Sequence, residues 1–186
     1  MEYRTIQEEI NRLLGSFFRK GGPLLEKAAD VIVRSLGSGH KVLVFGNGGS
    51  AAEAQHLAAE LVNKFSRPRR PLPAIALTTD TSTLTSIAND SSFDLVFSRQ
   101  VEALGNEGDI ALALSTSGTS PNILEALKAA RKKKLVTIAL TGEGGGKLGP
   151  LADILLDVPS RSTPRIQELH LVILHLIAQE LDDRLG

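Results

Sequence analysis

The chain has 186 residues, with 21 Lys and Arg against 21 Asp and Glu and no cysteine. This balance lacks the clustered basic excess typical of nucleic-acid binders, and the absence of cysteine excludes disulfides, thiol nucleophiles and cysteine-based zinc sites. No apolar stretch approaches the ~20 residues of a membrane span, and the amphipathic N-terminus lacks the apolar core of a signal peptide. We therefore expect a cytoplasmic protein of one domain, residues 1–186, with neither a nucleic-acid nor a membrane partner.

Residues 1–37 are predicted to form a helical N-terminal arm. The apolar residues of its first half recur at the three- and four-residue spacing of a helix. Pro23 is expected to open a second helix that continues to Leu36. The first set comprises Ile6, Ile10, Leu13, Leu14 and Phe17.

Five short apolar runs, each bounded by Gly, Pro or polar residues, are predicted as strands of an α/β core over residues 38–186. They are Val42 to Phe45, Ala74 to Thr78, Ile110 to Leu114, Val136 to Leu140 and Ile154 to Val158. Helical patterns separate them. Such alternation predicts a three-layer α/β/α sandwich with a five-stranded parallel sheet, flavodoxin-like or Rossmann-like, that binds ligands at the carboxyl ends of its strands.

A last helix is predicted from about Ser162-Thr163-Pro164, where Ser or Thr caps it, to about Leu185. Its apolar residues cover more than one face, which indicates burial in the core or in a subunit interface. His170 and His175 are about 140° apart around this helix, so at most one should face a given pocket. Gln167 and His175 are about 12 Å apart along the axis of this helix, which is too far for both to bind one metal ion. They could do so only if Gln167 preceded the regular helix or if the ligands came from different chains.

Two polar loops follow the first and third predicted strands. They are Gly46-Asn47-Gly48-Gly49-Ser50 and Ser115-Thr116-Ser117-Gly118-Thr119-Ser120. A junction between a strand and a helix directs free N–H groups and the positive end of a helix dipole to one place, and the hydroxyls add donors. Small polar residues also suit tight turns. Two such loops at equivalent positions nevertheless favour a site for a phosphorylated small molecule.

His56 and Glu60 follow the first loop at a spacing of four residues. On a helix this spacing places both on one face, where they can bind a metal or couple an acid to a base, although a surface pair is the commoner outcome. The surrounding segment is rich in Ala and Leu, which favours a site. Further along the chain, Asn89 and Asp90 can hold sugar hydroxyls or cap a helix.

Taken together, these residues resemble the sugar isomerase (SIS) domain, and within it the phosphoheptose isomerases, over almost the whole chain. The order and spacing of several motifs carry the resemblance. Besides the two loops, they are Ala54 to Leu61, Arg70 to Asp80, Ile87 to Asp90, Phe97 to Gln100, Leu140 to Gly142, and Arg165 to His170 with His175.

The resemblance implies isomerisation of sedoheptulose 7-phosphate to D-glycero-D-manno-heptose 7-phosphate, the first step toward activated heptoses of lipopolysaccharide and other surface polysaccharides. It also implies a homotetramer with active sites between subunits, and one zinc per subunit bound by His56, Glu60, Gln167 and His175. In this assignment Glu60 is the base and His175 the acid. Substrate contacts are assigned to Asn47, Gly48, Gly49, Ser50, Glu60, Asn89, Asp90, Ser115, Thr116, Ser117, Ser120 and Gln167, with His170 in a supporting position.

Two alternatives remain open from the sequence. One is a non-catalytic SIS module that binds a phosphosugar or a partner protein, like the replication-initiator-associating relatives. Those relatives lack the acidic and histidine residues at the catalytic positions, whereas this chain has Glu60 and His175. The other is an isomerase of a different sugar phosphate, such as arabinose 5-phosphate, whose enzymes often have attached regulatory domains not seen in this chain.

Overall fold

The structure is a computed structural model that describes residues 2–186. Its strands are β1 (Val42–Gly46), β2 (Ala74–Ala76), β3 (Ile110–Ser115), β4 (Val136–Thr141) and β5 (Ile154–Asp157). Its helices are α1 (Tyr3–Gly37), α2 (Gly49–Val62), α3 (Thr81–Asp90), α4 (Ser98–Leu104), α5 (Pro121–Lys132) and α6 (Thr163–Leu185), with 3₁₀ turns at Phe93–Leu95 and Gly149–Leu151. All five strands are parallel, in the order β2-β1-β3-β4-β5.

The sheet is buried on both faces, which confirms the predicted three-layer sandwich. Alternate side chains of each strand enter opposite cores, as the two-residue period of a strand requires. Val44 and Leu112 pack with α1, α2 and α6. Phe45 and Ala113 pack with α4 and α5 on the other face. Helices α2 and α6 thus lie side by side over the same face of the sheet.

The strand order places a crevice between β1 and β3. From β1 the chain passes to β2 on one side and then to β3 on the other, so the connections leave the carboxyl ends of β1 and β3 in opposite directions. Ligands of open parallel sheets bind at such a switch point. Both polar loops identified in the sequence begin here, because β1 ends at Gly46 and β3 at Ser115.

The prediction of two N-terminal helices separated at Pro23 is wrong. One helix, α1, runs through Pro23 from Tyr3 to Gly37. Proline inside a helix removes one hydrogen bond and costs about 3 kcal/mol. The buried stripe of α1 continues on both sides of the proline, and its packing offsets this cost. The stripe comprises Leu13, Phe17, Gly21, Leu25, Ala28, Ala29, Ile32, Ser35 and Leu36.

The other predicted elements are present with small changes at their ends. Strand β2 ends at Ala76, two residues early, because the chain turns there and Thr79 donates its hydroxyl hydrogen bond to the Ala76 carbonyl. Helix α6 begins as expected at Thr163-Pro164, but the Ser162 side chain makes no capping hydrogen bond. Within residues 2–186, no helix has a stretch long and apolar enough to cross a bilayer.

Candidate active site

A small polar cavity lies at the crevice between β1 and β3. It has a volume of about 160 Å³ and is lined by Asn47, Ser50, Leu114, Ser115, Thr116, Ser120, Thr163 and Gln167. Ser120 occupies the N-cap position of α5 without using its side chain there, and its Oγ lies 3.4 Å from Ser115 Oγ. Two hydroxyls and a helix N-terminus therefore meet at the cavity, an arrangement suited to a phosphate group.

Other residues of the loop after β3 shape this cavity rather than line it. Gly118 has φ +64°, and a Cβ there would overlap the backbone of Gly145. Ser117 is exposed, and its Oγ accepts hydrogen bonds from the Thr119 N–H and hydroxyl at 3.2 and 3.1 Å. Both features fix the turn, so the loop holds its shape before any ligand binds.

The side chain of Asn47 is held by a partner that sequence reasoning missed. Asn47 and the buried Asn122, in the first turn of α5, exchange two amide hydrogen bonds of 2.9 Å each. This pair joins the loop after β1 to the helix after β3. Asn122 follows Pro121 at the start of a helix, and nothing local to that position marks it as a loop partner.

Gln167 lines the cavity, about 12 Å along the axis of α6 from His175. It lies within regular α6, one turn after Thr163, so the expectation that it might precede the helix is excluded. Its side-chain amide covers Gly49, where a Cβ would overlap it. A side chain at position 49 would therefore displace the Gln167 amide from its present place.

A second group of polar side chains lies further along the same two helices. His56 and Glu60 of α2 meet His175 of α6: His56 Nε2 is 2.9 Å from His175 Nε2 and 3.1 Å from Glu60 Oε1, and His175 Nε2 is 3.7 Å from Glu60 Oε1. Phe65 lies beside the His175 ring, with centroids 5.4 Å apart. We call His56, Glu60 and His175 the triad.

The triad fits a metal ion by its spacing and by its chemistry. Ligand bonds of 2.0–2.1 Å in tetrahedral geometry place ligand atoms about 3.3 Å apart, close to the three observed separations. Two imidazoles and a carboxylate are donors that zinc prefers. Glu60 Oε2 is buried and, among residues 2–186, has no hydrogen-bond partner. Such an orphaned oxygen costs free energy unless a cation or a substrate proton compensates it.

Asn89 and Asp90 lie elsewhere. They are exposed residues in the last turn of α3, and Asn89 donates to Asp90 Oδ1 at 2.8 Å. Neither lines the cavity of its own chain. Any contact with a ligand in that cavity would therefore come from another subunit or from movement of α3.

Between the cavity and the triad lie Glu53, whose side chain is 11% exposed, and His170. His170 is fully buried and donates through Nε2 to the Thr141 carbonyl at 3.2 Å, so its Nδ1 is left as an acceptor. That Nδ1 lies 3.9 Å from Glu53 Oε2, and neither atom has a hydrogen-bond partner in the described chain. Sequence reasoning missed Glu53, although it lies one turn before His56 on α2.

Burial sets the protonation of this pair. Desolvation raises the pKa of Glu53 to about 7, partly opposed by a hydrogen bond from Ser50. Desolvation also lowers the pKa of His170 to about 4, against the hydrogen bond to Thr141. At neutral pH His170 is therefore neutral, while the proton of Glu53 titrates close to physiological pH.

Glu53→Gln is expected to raise the melting temperature at pH 8 and to change it little at pH 4.5. The folded protein keeps the Glu53 proton up to about pH 7, whereas the unfolded chain loses it near 4.5. The wild type therefore loses stability as pH rises through this window, and glutamine, which has no charge, does not. Thermal unfolding of both proteins from pH 4.5 to 8 checks this. If the difference in melting temperature between Glu53→Gln and the wild type were the same at every pH, the pKa of Glu53 would not be raised by desolvation.

A protein-family model and similar curated relatives point to the same family. The model of the SIS domain family matches residues 6–142. A phosphoheptose isomerase of Aliarcobacter butzleri is 55% identical over 185 residues, covering 100% of this chain and 96% of that protein. One from Desulfovibrio desulfuricans is 54% identical over 171 residues, covering 92% and 81%.

Solved structures agree with this result. The phosphoheptose isomerase of Neisseria gonorrhoeae superposes with a TM-score of 0.91 at 42% identity, covering 97% of each chain. That of Francisella tularensis gives 0.93 at 41% identity, covering 97% of this chain and 96% of the other. By sequence and by structure, this chain belongs to the SIS domain family and, within it, to the phosphoheptose isomerases.

Proposed function

We propose that this protein interconverts sedoheptulose 7-phosphate and D-glycero-D-manno-heptose 7-phosphate through an enediolate. One observation carries the proposal: α2 and α6 together line a cavity suited to phosphate and, further along, bring Glu60, His56 and His175 together. From Ser50 to His56 the axis of α2 rises about 9 Å, comparable to the length of an open-chain seven-carbon sugar phosphate. The family membership supports the same reaction.

The phosphate end of the substrate is held at the cavity. The hydroxyls of Ser115 and Ser120 and the N-terminus of α5 surround the phosphate, and the turn at Ser117 and Gly118 keeps the loop in place. The phosphate does not react. Its binding energy positions the far end of the sugar against the triad, which saves the entropy of orienting the reacting carbons.

The proton transfer is assigned to Glu60. In the ketose, whose carbonyl is at C2, the base removes a proton from C1 and leaves an enediolate. Return of a proton to C2 then places the carbonyl at C1. Glu60 Oε1 lies 3.1 Å from His56 Nε2 and 3.7 Å from His175 Nε2, so the Glu60 carboxylate is placed in the triad as the group that takes and returns this proton. His175 serves the substrate oxygens as the acid.

Zinc, one per subunit, is part of the proposal, with His56, Glu60 and His175 as ligands. When bound, the ion supplies positive charge that stabilises the oxyanion of the enediolate. Gln167 of the same chain lies over Gly49 instead. Its assignment as a fourth ligand therefore needs a contribution from a second chain.

His56→Ala is expected to weaken metal binding at least about 10-fold, because it removes one of three ligands. Titration of the metal-free protein with Co²⁺, followed by its visible absorption, checks this against His40→Ala, a histidine at the opposite edge of the sheet that contacts Asp109. Equal affinity in His56→Ala and wild type, or no uptake by wild type, would reduce the triad to an acid–base pair.

A homotetramer with active sites between subunits is also proposed. Two features support it. Asn89 and Asp90 are exposed and lie outside the cavity of their own chain, and α1 exposes the large apolar side chains Phe18 and Leu24. Exposed apolar side chains of this size favour contact with another subunit. Light scattering measures the mass of the assembly.

A cytoplasmic location and a role at the start of activated-heptose synthesis for lipopolysaccharide complete the proposal.

The test of the reaction is direct. The protein is incubated with sedoheptulose 7-phosphate, and the sugar is followed by NMR with and without chelator. We expect the aldose to appear. Arabinose 5-phosphate, assayed at the same concentration, tests the rival substrate, and faster conversion of that sugar would overturn the substrate assignment. Absence of turnover with either, together with retained phosphosugar binding, would favour the non-catalytic alternative.

A further inference from the structure

A fully buried ion pair lies just beyond the triad. Arg69, in the connection between α2 and β2, donates through Nε to Asp182 Oδ1 of α6 at 2.6 Å, and both side chains have 0% exposure. Asp182 Oδ2 also accepts from the backbone N–H groups of Ser66 and Arg67, at 2.6 and 2.9 Å. The carboxylate therefore ties this connection to α6.

The guanidinium of Arg69 also holds the end of α2. Nη2 donates to the carbonyl of Glu60 at 2.7 Å, and Nη1 donates to the carbonyl of Leu61 at 2.8 Å. These carbonyls belong to the last turn of the helix, where backbone acceptors have no partner within the helix and where a positive charge is favourable. Only the planar fork of arginine reaches both carbonyls and the carboxylate, since lysine has a single nitrogen.

The partner on α6 is aligned with the triad. Asp182 follows His175 by seven residues, two turns on the same face of the helix, about 10.5 Å along its axis. One end of the ion pair thus holds the backbone of Glu60, and the other holds the helix that carries His175. The separation of 3.7 Å between Glu60 Oε1 and His175 Nε2 depends on how these helices lie against each other.

We propose that Arg69 and Asp182 are positioning residues that hold α2 against α6, so that Glu60, His56 and His175 keep the spacing needed for metal binding and proton transfer. This inference rests on the proposed function for its kinetic consequence. Its consequence for metal binding is independent of the substrate.

The test uses Arg69→Lys and Asp182→Asn in the full-length protein. The matched control is Asp109→Asn, since Asp109 is also buried, accepts from two backbone N–H groups (Lys41 at 2.9 Å, Asn106 at 2.8 Å) and pairs with Lys41 Nζ at 2.6 Å. It lies beside Lys41 and Ile110, at the N-terminal edge of the sheet, opposite the site. All measurements are made well below the melting temperature of each variant.

We expect both variants to lose about 10-fold to 100-fold in Co²⁺ affinity, the range found when groups supporting metal ligands are removed. We expect kcat to fall with the affinity and KM for the sugar phosphate to stay near the wild-type value, because the phosphate cavity lies at the other end of the helices. The control should lose thermal stability but keep metal affinity and kcat.

Two results would overturn the inference: wild-type Co²⁺ affinity in Arg69→Lys, or an equal loss in Asp109→Asn, which would show that general destabilisation is the cause. If Asp182→Asn does not fold, Arg69→Lys, which keeps the charge, still decides. Should the wild type turn over no sugar, the proposed function fails, and the Co²⁺ titration still tests the positioning role.

Discussion

Glu60→Gln is expected to lose at least about 100-fold in turnover while the protein folds and binds the sugar phosphate. The substitution is nearly isosteric and removes the carboxylate that acts as the base in the triad. Phosphate binding should survive because the cavity does not include Glu60. The rate of isomerisation by NMR and the affinity for the sugar phosphate by calorimetry give the two readouts.

The control for this variant is Glu102→Gln, a substitution of an exposed glutamate on α4 that pairs only loosely with Arg99, at 3.7 Å. It should keep the wild-type rate. If Glu60→Gln retained near-full activity, Glu60 would have no part in the proton transfer, and the assignment of the base would fail.

His175→Ala should abolish isomerisation with little change in thermal stability. His170→Ala should lower thermal stability and reduce isomerisation less. His175 is part of the triad and is partly exposed, so its removal deletes a reacting group without opening the core. His170 is completely buried and bonds to the Thr141 carbonyl. The Thr141 carbonyl still accepts from the Val158 N–H, so the loss of His170 removes one buried hydrogen bond, which costs about 0.5–1.5 kcal/mol before any cavity is counted.

Melting temperatures and kcat of the two variants, measured side by side, separate these roles. A His170 variant that is folded but inactive, beside an active His175 variant, would overturn the assignment of the acid.

Much of the fold could be predicted because buried parallel strands have a local signature. Runs such as Val42 to Phe45 are apolar on both faces and are bounded by breakers, so all five strands were found from sequence. Pro23 was misread because its local cost is visible in the sequence, while the compensating burial along α1 is a tertiary property. A residue with an unfavourable local preference is tolerated in a helix where tertiary packing stabilises that helix by more than the local cost.

The candidate site was predictable only in part. His56 and Glu60 lie on one helix face by spacing alone, but their meeting with His175 depends on the packing of α2 against α6. The helix rise between Gln167 and His175 already indicated that the two would not meet in one chain, and in the structure Gln167 lies within regular α6 and lines the cavity. Glu53 and the Arg69–Asp182 pair were missed because their partners are more than 100 residues away in sequence.

The measurement that tests the central claim most directly is isomerisation of sedoheptulose 7-phosphate in D₂O. We expect the heptose formed by the wild type to carry deuterium at C2, because the proton that Glu60 takes from C1 exchanges with solvent before it is returned. We expect Glu60→Gln to form almost none of this product. No conversion, or a product whose C2 carries only the hydrogen that came from C1, would contradict it.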